Sequence, residues 1–511
     1  MTLTPFTSQA DKRRLLLLGV LLAVYLIGRL LFLMQLPPFI DEGLHSYYVE
    51  VMESGIISAG AGDGKWLSIL IFYALTRLPA DVLLLIRLAS VASGVASLVA
   101  IFLIGRELFN TAVGLLSVTF YVFLPFALIY NRLGLADGIV AAFGAWTLLI
   151  SIRTVRSQNG LYPVLLTALL LASVLAKASA IVFILFPVLA LLLLTPREQW
   201  ASISRRILPP VVGATFIVIL MISQDVGTAE IVHKTLDSRP AGIVESIAGN
   251  VSTAARWFWT LLTPALAILA VLAILLFATW RLERRVAFLL VILAVVLFPY
   301  VISAVVWYPR YLLFALVPLA LLLGRFWYWL TETILTLTTS RRLGMTFSLL
   351  LLALLLIWPA ISSLRFVISP PQAQLPAIVR RQYISAWTAG YGVEELTAFL
   401  EEQARDTPGD LLILRPYYLS QVNHGGLDLF LGDDEGFHFK TIGQNLDQDL
   451  QEAAARLAAG QRTIFVFDST HDESRNLSSM LRQQATVNHI WSHTKPYSTG
   501  GLEVWELSLT D

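Results

Sequence analysis

Two adjacent carboxylates, Asp41 and Glu42, come directly after the first long apolar run of the sequence. They lie in the segment Pro37-Pro38-Phe39-Ile40-Asp41-Glu42-Gly43-Leu44-His45. A carboxylate held beside a hydroxyl can remove its proton, and partial burial near other acids brings a carboxyl into the range where it acts as a base. Asp41 is therefore a candidate general base. The alternative is that Asp41 caps a short helix and Glu42 lies in its first turn.

A second acid, Asp137, ends the short segment Asn131-Arg132-Leu133-Gly134-Leu135-Ala136-Asp137 between two apolar runs. If this segment and the Asp41 segment lie on the same side of a membrane, the two acids can face one cleft. The alternative is again an N-terminal cap, for a helix that begins near residue 135.

Several cations lie within apolar sequence or at its ends. An isolated charge at the centre of a membrane costs at least about 2.5–3.5 kcal/mol, so it normally has a partner. The phosphate group of a ligand is one such partner. Two alternatives stay open, because Lys177 can extend its amine to the membrane surface and Arg87 can pair with Asp81. The candidates for phosphate binding are Lys65, Arg87, Arg132, Lys177 and Arg310.

A divalent metal is a candidate cofactor, although the ligand pattern is loose. His45, His233, Glu42 and Asp63 have suitable donor atoms, but no close spacing such as H-x-x-x-H occurs. The chain has no cysteine, which excludes disulfides and thiolate metal sites. Solvated loop histidines are the alternative, and the metal ligands are unknown.

The composition indicates that lipid solvates much of the chain. Of the 511 residues, 57% are hydrophobic and 14% are charged, against roughly 45–50% and 25% in soluble proteins. The 36 basic and 35 acidic residues give a net charge of +1, which indicates no nucleic-acid partner. Runs of about 20 apolar residues, enough to cross a membrane as a helix, number about eleven. They cover residues 15–36, 82–105, 112–130, 135–153, 161–176, 178–195, 207–223, 257–279, 286–307, 311–330 and 344–365.

Basic residues occur in alternate loops, and this placement predicts the orientation. The loops around Asp41 and Asp137, the turns at Lys177 and Arg310, and everything after the last span then face outward. We expect a multi-pass protein of the cell membrane with a cytoplasmic N-terminus and an extracytoplasmic C-terminus. The loops predicted to be cytoplasmic contain Lys12, Arg13, Arg14, Arg106, Arg153, Arg156, Arg197, Arg205, Arg206, Arg281, Arg284, Arg285, Arg341 and Arg342.

The C-terminal part of the chain has a different character. Residues 1–366 are predicted to form a transmembrane domain, and residues 367–511 an extracytoplasmic soluble α/β domain that begins near Pro370-Pro371. In the second of these, helix-like stretches alternate with short β-rich runs. The expected helices cover 393–404 and 447–459, and the expected strands cover 411–414, 463–467 and 502–507.

The order of the motifs resembles glycosyltransferase family 39. This family contains the dolichyl-phosphate-mannose protein mannosyltransferases and the bacterial aminoarabinose lipid A transferases. The resemblance implies that the chain is a bacterial member with the GT-C fold, which is an α-helical polytopic membrane fold. It extends over residues 15–330. It rests on Asp41-Glu42-Gly43-x-His45, Lys65, Ile86-Arg87-Leu88-Ala89-Ser90, Ile104-Gly105-Arg106-Glu107-Leu108-Phe109, Asp137, Leu175-Ala176-Lys177 and Pro309-Arg310-Tyr311-Leu312-Leu313.

The resemblance also implies the chemistry. A hexosyl or pentosyl group moves from a polyprenyl-phosphate donor to an acceptor hydroxyl outside the cytoplasm, with inversion. Asp41 matches the family's catalytic acid, Glu42 its neighbour, and Asp137 the acid of the second outer loop. In the segment around Lys65, this lysine is the one residue that matches the aminoarabinose transferases. The metal ligand that those enzymes have in the same segment has no match here. The expected substrate-binding residues are His45, Lys65, Arg87, Arg132, Lys177, Arg310 and Tyr311.

The expected partners are a polyprenyl-phosphate-linked sugar, a glycan, lipid or protein acceptor, and membrane lipids. Two other functions stay open. One is an oligosaccharyltransferase or O-antigen-ligase-like enzyme, although the chain has no Trp-Trp-Asp-Tyr-Gly run. The other is a lipid or solute transporter. A transporter places ionisable residues near mid-membrane, whereas a transferase gathers them at the outer rim.

Overall fold

The structure is a computed structural model that describes residues 9–224, 243–303, 307–406, 411–431 and 437–508. Helices dominate the first three quarters of the chain, and a five-stranded sheet forms near its end. In chain order the helices are α1 (Gln9–Leu30), α2 (Ile40–Glu53), α3 (Trp66–Leu75), α4 (Val82–Leu108), α5 (Thr111–Phe123), α6 (Pro125–Tyr130), α7 (Ala136–Arg156), α8 (Leu161–Ala176), α9 (Leu185–Leu194), α10 (Trp200–Ser223), α11 (Ile243–Leu262), α12 (Pro264–Thr279), α13 (Arg284–Ser303), α14 (Leu316–Leu337), α15 (Arg341–Ile368), α16 (Ala377–Arg380), α17 (Val393–Asp406), α18 (Leu446–Ala458) and α19 (Asp472–Gln484).

Six helical segments of the described chain are long and apolar enough to cross a membrane. The predicted spans fall on these segments, on α1 and on shorter apolar helices, so a multi-pass helical membrane protein is confirmed. The orientation of the termini stays a prediction. The six segments are Val82–Leu108, Ala136–Arg156, Arg197–Ser223, Arg284–Ile302, Pro309–Leu337 and Arg341–Ile368, and the shorter ones are Trp66–Leu75, Thr111–Phe123, Leu161–Ala176, Ala178–Leu194 and Pro264–Thr279.

Two predicted spans are each divided into two helices. The span 112–130 breaks between α5 and α6 at Pro125, and the span 257–279 breaks between α11 and α12 at Pro264. Each proline is the first residue of the second helix, because it has no N–H to continue the hydrogen bonds of the first. Thr263 adopts a φ of 70° at the second break, a conformation that a non-glycine residue rarely takes.

Small residues let the membrane helices approach one another closely. A Cβ on Gly105 of α4 would lie 2.7 Å from the Cα of Gly114 in α5, and one on Gly324 of α14 would lie 2.3 Å from the hydroxyl of Ser117. In lipid, where apolar surface alone does not drive helices together, such close backbone packing stabilises their association.

The chain divides into two compact units. The membrane unit consists of Met1–Leu33, Ile57–Arg77 and Ile86–Pro376, and the sheet unit consists of Met34–Ile56, Leu78–Leu85 and Ala377–Asp511. The segment with Asp41 thus belongs to the same unit as the sheet. The predicted boundary between a transmembrane and an extracytoplasmic domain at residue 367 stays a prediction.

The sheet has the strand order β2-β1-β3-β5-β4, with β1 parallel to β2 and β3, and β5 antiparallel to β3 and β4. Helix α17 packs on one face, through Leu396 and Leu400, while α18 and α19 pack on the other, through Ala453 and Leu481. The predicted α/β domain is therefore confirmed. The strands are β1 (Leu411–Pro416), β2 (Phe437–Ile442), β3 (Thr463–Asp468), β4 (Thr486–Thr494) and β5 (Gly501–Ser508).

Strands β1, β3 and β5 agree with the predicted strands, whereas β2 and β4 were not predicted from the sequence. The missed strands are the two edges of the sheet, and most of their residues are partly exposed. Edge strands often have mixed polar sequences, which give a weaker pattern than the continuous apolar runs of buried strands.

Candidate functional site

A carboxylate and two cations meet in the membrane unit. The Nζ atom of Lys177 lies 2.5 Å from Oδ1 of Asp137, and Nε of Arg310 lies 3.9 Å from Oδ2. All three side chains are largely buried, with exposed fractions of 16% for Lys177, 9% for Asp137 and 7% for Arg310. We call these three residues the cation centre.

The ends of three helical elements position this centre. Asp137 lies in the first turn of α7, Lys177 follows the last residue of α8, and Arg310 lies in a 3-10 segment, Pro309–Ala315, that leads into α14. The ring of Tyr311 lies under the amine of Lys177, 4.4 Å from Nζ to the ring centroid. An ammonium over an aromatic face is stabilised by the negative charge density of the ring.

The turn with Lys65 is fixed beside Lys177. The carbonyl oxygen of Gly64 accepts a hydrogen bond from the N–H of Ala178 at 3.0 Å. Gly64 has a φ of 64°, in the left-handed region that favours glycine. Lys65 lies 3.7 Å from Asp63 and close enough to act electrostatically on Asp137. Among the described side chains, Lys65, Lys177 and Arg310 lie with the carboxylates of Asp63 and Asp137. This set of five carries a net charge of +1, which favours an anionic ligand.

A small cavity of about 30 Å³ adjoins the cation centre. Its polar lining comes from the centre together with Ser179, Tyr300 and Tyr311, and its apolar wall includes Phe183. A space of this size holds a single water.

Arg132 and Arg87 lie at the C-terminal end of α1. Arg132 donates from Nη1 to the carbonyl oxygens of Gly28 (3.0 Å), Arg29 (3.0 Å) and Leu31 (2.7 Å), and from Nη2 to that of Phe32 (2.6 Å). Arg87 donates from Nη1 to the carbonyl oxygen of Leu33 at 3.0 Å. The last carbonyls of a helix lack partners within it, so Arg132 satisfies acceptors at the end of α1. Both guanidinium groups also satisfy carbonyls of the turn that follows α1.

A third arginine, Arg29, is buried in the same region. Its Nη1 donates to the carbonyl oxygen of Val122 at 2.9 Å, and its guanidinium lies 4.2 Å from the ring centroid of Tyr25. Burial, and then the charges of Arg87 and Arg29, lowers the pKa of Arg132 to about 10, so this group remains charged at neutral pH. Arg29 was not among the cations predicted from the sequence, although an arginine within an apolar helix is the signal that led to the others.

The predicted catalytic pair lies in the sheet unit, in the first turn of α2. Glu42 is fully buried, and its Oε2 accepts a hydrogen bond from the N–H of Phe39 at 2.9 Å. Glu42 therefore caps the N-terminus of α2 from its first turn, where the alternative interpretation placed it. The same interpretation made Asp41 the cap, which is wrong, because Phe39 occupies the N-cap position. Asp41 is half-buried, and His45 is buried one turn later.

The buried side chain of Gln421 connects the start of α2 to the rest of the sheet unit. Its Nε2 donates to the carbonyl oxygens of Pro38 (3.3 Å) and Thr388 (2.6 Å), and its Oε1 accepts from the N–H of Gly426 (2.8 Å). Thr388 also accepts from the N–H of Ile40 at 3.0 Å. The residue before Asp41 is thus fixed by backbone contacts that the sequence analysis missed.

Within the described part of the chain, no three His, Asp or Glu side chains are grouped closely enough to hold a metal ion. His233 lies outside the described residues. A divalent metal therefore stays a prediction.

The structure brings five predicted site residues together in the membrane unit, namely Asp137, Lys65, Lys177, Arg310 and Tyr311. It places Arg87 and Arg132 at the end of α1, and Asp41, Glu42 and His45 on α2 of the sheet unit. Their roles in catalysis and in substrate binding stay predictions.

Comparison with known families gives a match over part of the chain. The family model described as dolichyl-phosphate-mannose-protein mannosyltransferase matches residues 66–224. This stretch contains Arg87, Arg132, Asp137 and Lys177, but neither Asp41 nor Arg310. No curated protein matches the chain in sequence.

Solved structures match nearly the whole chain in fold. ArnT from Cupriavidus metallidurans bound to undecaprenyl phosphate has a TM-score of 0.59 at 13% identity, and the match covers 97% of this chain and 98% of that one. The apo state of ArnT gives 0.55 at 14% identity, with 98% of each chain covered. The oligosaccharyltransferase AglB from Archaeoglobus fulgidus, in complex with an inhibitory peptide and a dolichol-phosphate, gives 0.56 at 12% identity over 97% of this chain and 74% of that one. The predicted resemblance to family 39 is thereby confirmed, and the chain has the GT-C type of fold seen in ArnT and AglB.

Proposed function

We propose that this protein is a membrane glycosyltransferase. It moves a sugar from a polyprenyl-phosphate donor to an acceptor hydroxyl on the extracytoplasmic side, with inversion. The observation that carries the proposal is the cation centre, where Lys177 and Arg310 converge on Asp137 at the ends of membrane helices. Similarity in fold to ArnT bound to undecaprenyl phosphate and to AglB with a dolichol-phosphate supports a lipid-phosphate donor.

In this proposal the cation centre serves the leaving group. The bond between the anomeric carbon and the phosphate oxygen breaks, and the polyprenyl phosphate leaves with an added negative charge. Fixed cations stabilise charge that develops in a transition state, because they need no reorganisation when it appears. Lys177, Arg310 and Lys65 supply that positive charge, and Asp137 holds Lys177 and Arg310 in place.

Asp41 is the proposed general base, and this assignment rests on the sequence resemblance. Its carboxylate takes the proton of the acceptor hydroxyl while the oxygen forms its bond to the anomeric carbon from the side opposite the phosphate. One bond forms and one breaks at that carbon, so the configuration inverts. Glu42 and Gln421 hold the first turn of α2 through Phe39 and Pro38, and thereby position Asp41.

The placement of charges favours a transferase over a transporter. A transporter needs ionisable groups near the middle of the membrane, often in broken helices. Here Asp137 lies at the start of α7 and Lys177 just past the end of α8. Charges at helix ends suit a ligand whose phosphate lies at the membrane surface.

The test uses the full chain in lipid nanodiscs with radiolabelled polyprenyl-phosphate sugars and a membrane extract as the source of acceptors. We expect Asp41→Asn to lose transfer by at least about a hundredfold, the lower range for a general base, while retaining donor binding. Lys177→Ala is expected to weaken donor binding itself. The matched control is Arg325→Ala, which breaks an ion pair with Glu283 elsewhere in the membrane unit. Transfer by Asp41→Asn at the parent rate would exclude Asp41 as the base.

A further inference from the structure

Four aromatic side chains form a continuous row in the sheet unit. Tyr417 and Tyr418 follow β1 directly, and His471 comes three residues after the end of β3. The ring centroids are 5.5 Å apart for Tyr417 and Tyr418, 4.6 Å for Tyr418 and His471, and 4.5 Å for His471 and Trp387. The rings of Tyr418 and His471 are nearly parallel, at 13°. We call these four residues the aromatic row.

The topology of the sheet gives the aromatic row a special position. Strand β1 lies between β2 and β3 in the sheet. The chain runs from β1 to β2 on one side of it and then through α18 to β3 on the other side. In open α/β sheets, ligands bind outside the carboxyl ends of the strands, at the point where the strand order reverses. Tyr418 and His471 follow the two strands that flank this point.

A buried ion pair fixes the two segments that carry Trp387 and His471. Asp468, the last residue of β3, and Lys495 are fully buried, with 2.6 Å between Oδ2 and Nζ. Lys495 also donates to the carbonyl oxygens of Ala386 (3.1 Å) and Ala389 (2.5 Å), on either side of Trp387. Oδ1 of Asp468 accepts from the N–H of Thr470 at 2.9 Å, next to His471.

Such a pair adds little stability compared with apolar residues of similar size, and fixing one conformation is one of its documented roles. Here the conformation that it fixes places Trp387 against His471.

The segment with Trp387 also holds the helix that bears Asp41. Thr388, the next residue, accepts a hydrogen bond from Ile40, and Ala389 forms a β-bridge with Phe39. A ligand on the aromatic row would therefore contact a segment that is bonded directly to the residues preceding Asp41. That is a suitable place for the acceptor of the proposed reaction.

The groups around the row fit a neutral, hydroxyl-rich ligand. Tyr417 is 44% exposed, and the other three rings are half-buried. The hydroxyl of Tyr418 lies 2.6 Å from that of Ser474, which is fully buried and helps to hold the ring in place. The exposed carboxylates near His471 are those of Asp472 and Glu473, and they disfavour a phosphate or another anion. Ligand pockets combine aromatic surface with a few polar groups in this way.

We propose that the aromatic row binds a neutral saccharide unit of the acceptor, with a pyranose face against the exposed part of the row and its hydroxyls on the exposed carboxylates of Asp472 and Glu473. That the saccharide belongs to the acceptor rests on the proposed function. Binding of the saccharide itself is measured without any transfer reaction.

The experiment measures saturation-transfer NMR of the full chain in nanodiscs with three neutral trisaccharides, maltotriose, cellotriose and mannotriose, each at millimolar concentration. We expect signals from at least one of them. Trp387→Ala is expected to weaken that binding about tenfold, as loss of an aromatic contact of up to about 1.5 kcal/mol would do. Tyr417→Ala, a change at an exposed ring that leaves the core intact, is expected to weaken it as well.

Trp491→Ala is the matched control, because Trp491 is a half-buried tryptophan of the same unit that stacks on Phe399 away from the row. The inference would be overturned if none of the three sugars bound the parent protein. It would also be overturned if Trp387→Ala and Tyr417→Ala both bound the sugar as strongly as the parent does. So would competition by choline, which would mark the row as a cation site. The two proposals fail separately, because the NMR signal does not depend on donor chemistry. Transfer by Asp41→Asn tests the proposed function, and trisaccharide binding tests the aromatic row.

Discussion

Gly43 lies directly against the backbone of Gly425. A Cβ on Gly43 would come within 2.3 Å of the carbonyl carbon of Gly425 and within 2.4 Å of its oxygen. Both residues belong to the sheet unit, so α2 rests on the loop after β1 with no side chain between them. This contact explains physically why a glycine follows Asp41 and Glu42.

Gly43→Ala is expected to lower both the thermal midpoint and the transfer rate. The atoms that the new methyl group meets are backbone, which cannot rotate aside, and overpacking of this kind costs about 1–3 kcal/mol. Differential scanning fluorimetry and the transfer assay measure the two effects. Gly62→Ala is the control, since a Cβ there meets nothing within 4 Å. Parent-like stability and rate in Gly43→Ala would contradict the contact.

Asp137→Asn is expected to destabilise the membrane unit, because Lys177 and Arg310 lose their carboxylate in a largely buried place. Breaking one side of a buried pair costs about 3–5 kcal/mol. A bound anion can replace the missing charge, so undecaprenyl phosphate should raise the thermal midpoint more in Asp137→Asn than in the parent.

Glu283→Gln is the control for this experiment, because its ion pair with Arg325 is more exposed. Equal shifts with undecaprenyl phosphate in Asp137→Asn and in the parent would show that the cation centre does not bind the lipid phosphate.

Arg132→Ala separates a structural role from substrate binding. Its guanidinium donates to four carbonyls at the end of α1, and a hydrogen bond from a charged donor is worth about 1.5–3 kcal/mol. We expect lower stability with an unchanged dissociation constant for polyprenyl phosphate, and only partial rescue by Arg132→Lys, whose amine lacks the planar fork. Weaker donor binding at unchanged stability would instead support the predicted substrate-binding role.

The sheet unit is expected to lose stability in mild acid. Burial lowers the pKa of His471 and of His424, and nearby carboxylates oppose this effect only in part. The unfolded chain takes up a proton near pH 6.5, whereas the folded chain resists it until a lower pH. The contribution to stability is therefore complete above about pH 6.5 and is lost as the pH falls from there toward the lowered pKa.

His471 is the N-cap of α19, where its Nδ1 accepts a hydrogen bond from the N–H of Glu473 at 3.2 Å. His471→Asn tests the pH dependence, since asparagine also caps a helix but does not titrate. The thermal midpoint, followed from neutral to acidic pH, should fall less steeply in this variant than in the parent. The exposed His489→Asn is the control. An equally steep fall in His471→Asn would assign the acid sensitivity to other groups.

The sequence by itself determined the class of the protein and most of its helices and strands. Apolar runs long enough to cross a membrane and the buried strands β1, β3 and β5 are local patterns. The motifs from Asp41 to Tyr311 also sufficed for the resemblance to family 39 and for the GT-C fold, because that resemblance depends on residue types and their order.

Only the tertiary structure decided which side chains meet. Asp137 and Lys177 are 40 positions apart, and Pro38 and Gln421 are 383 apart. The pairing of Asp468 with Lys495 and the row from Tyr417 to Trp387 likewise depend on which strands become neighbours. Local patterns predict an element but not its partner, because packing of the whole chain selects the contacts. For this reason the sequence identified the cations as a set, whereas the structure separated a centre at Asp137 from the guanidinium groups that hold the end of α1.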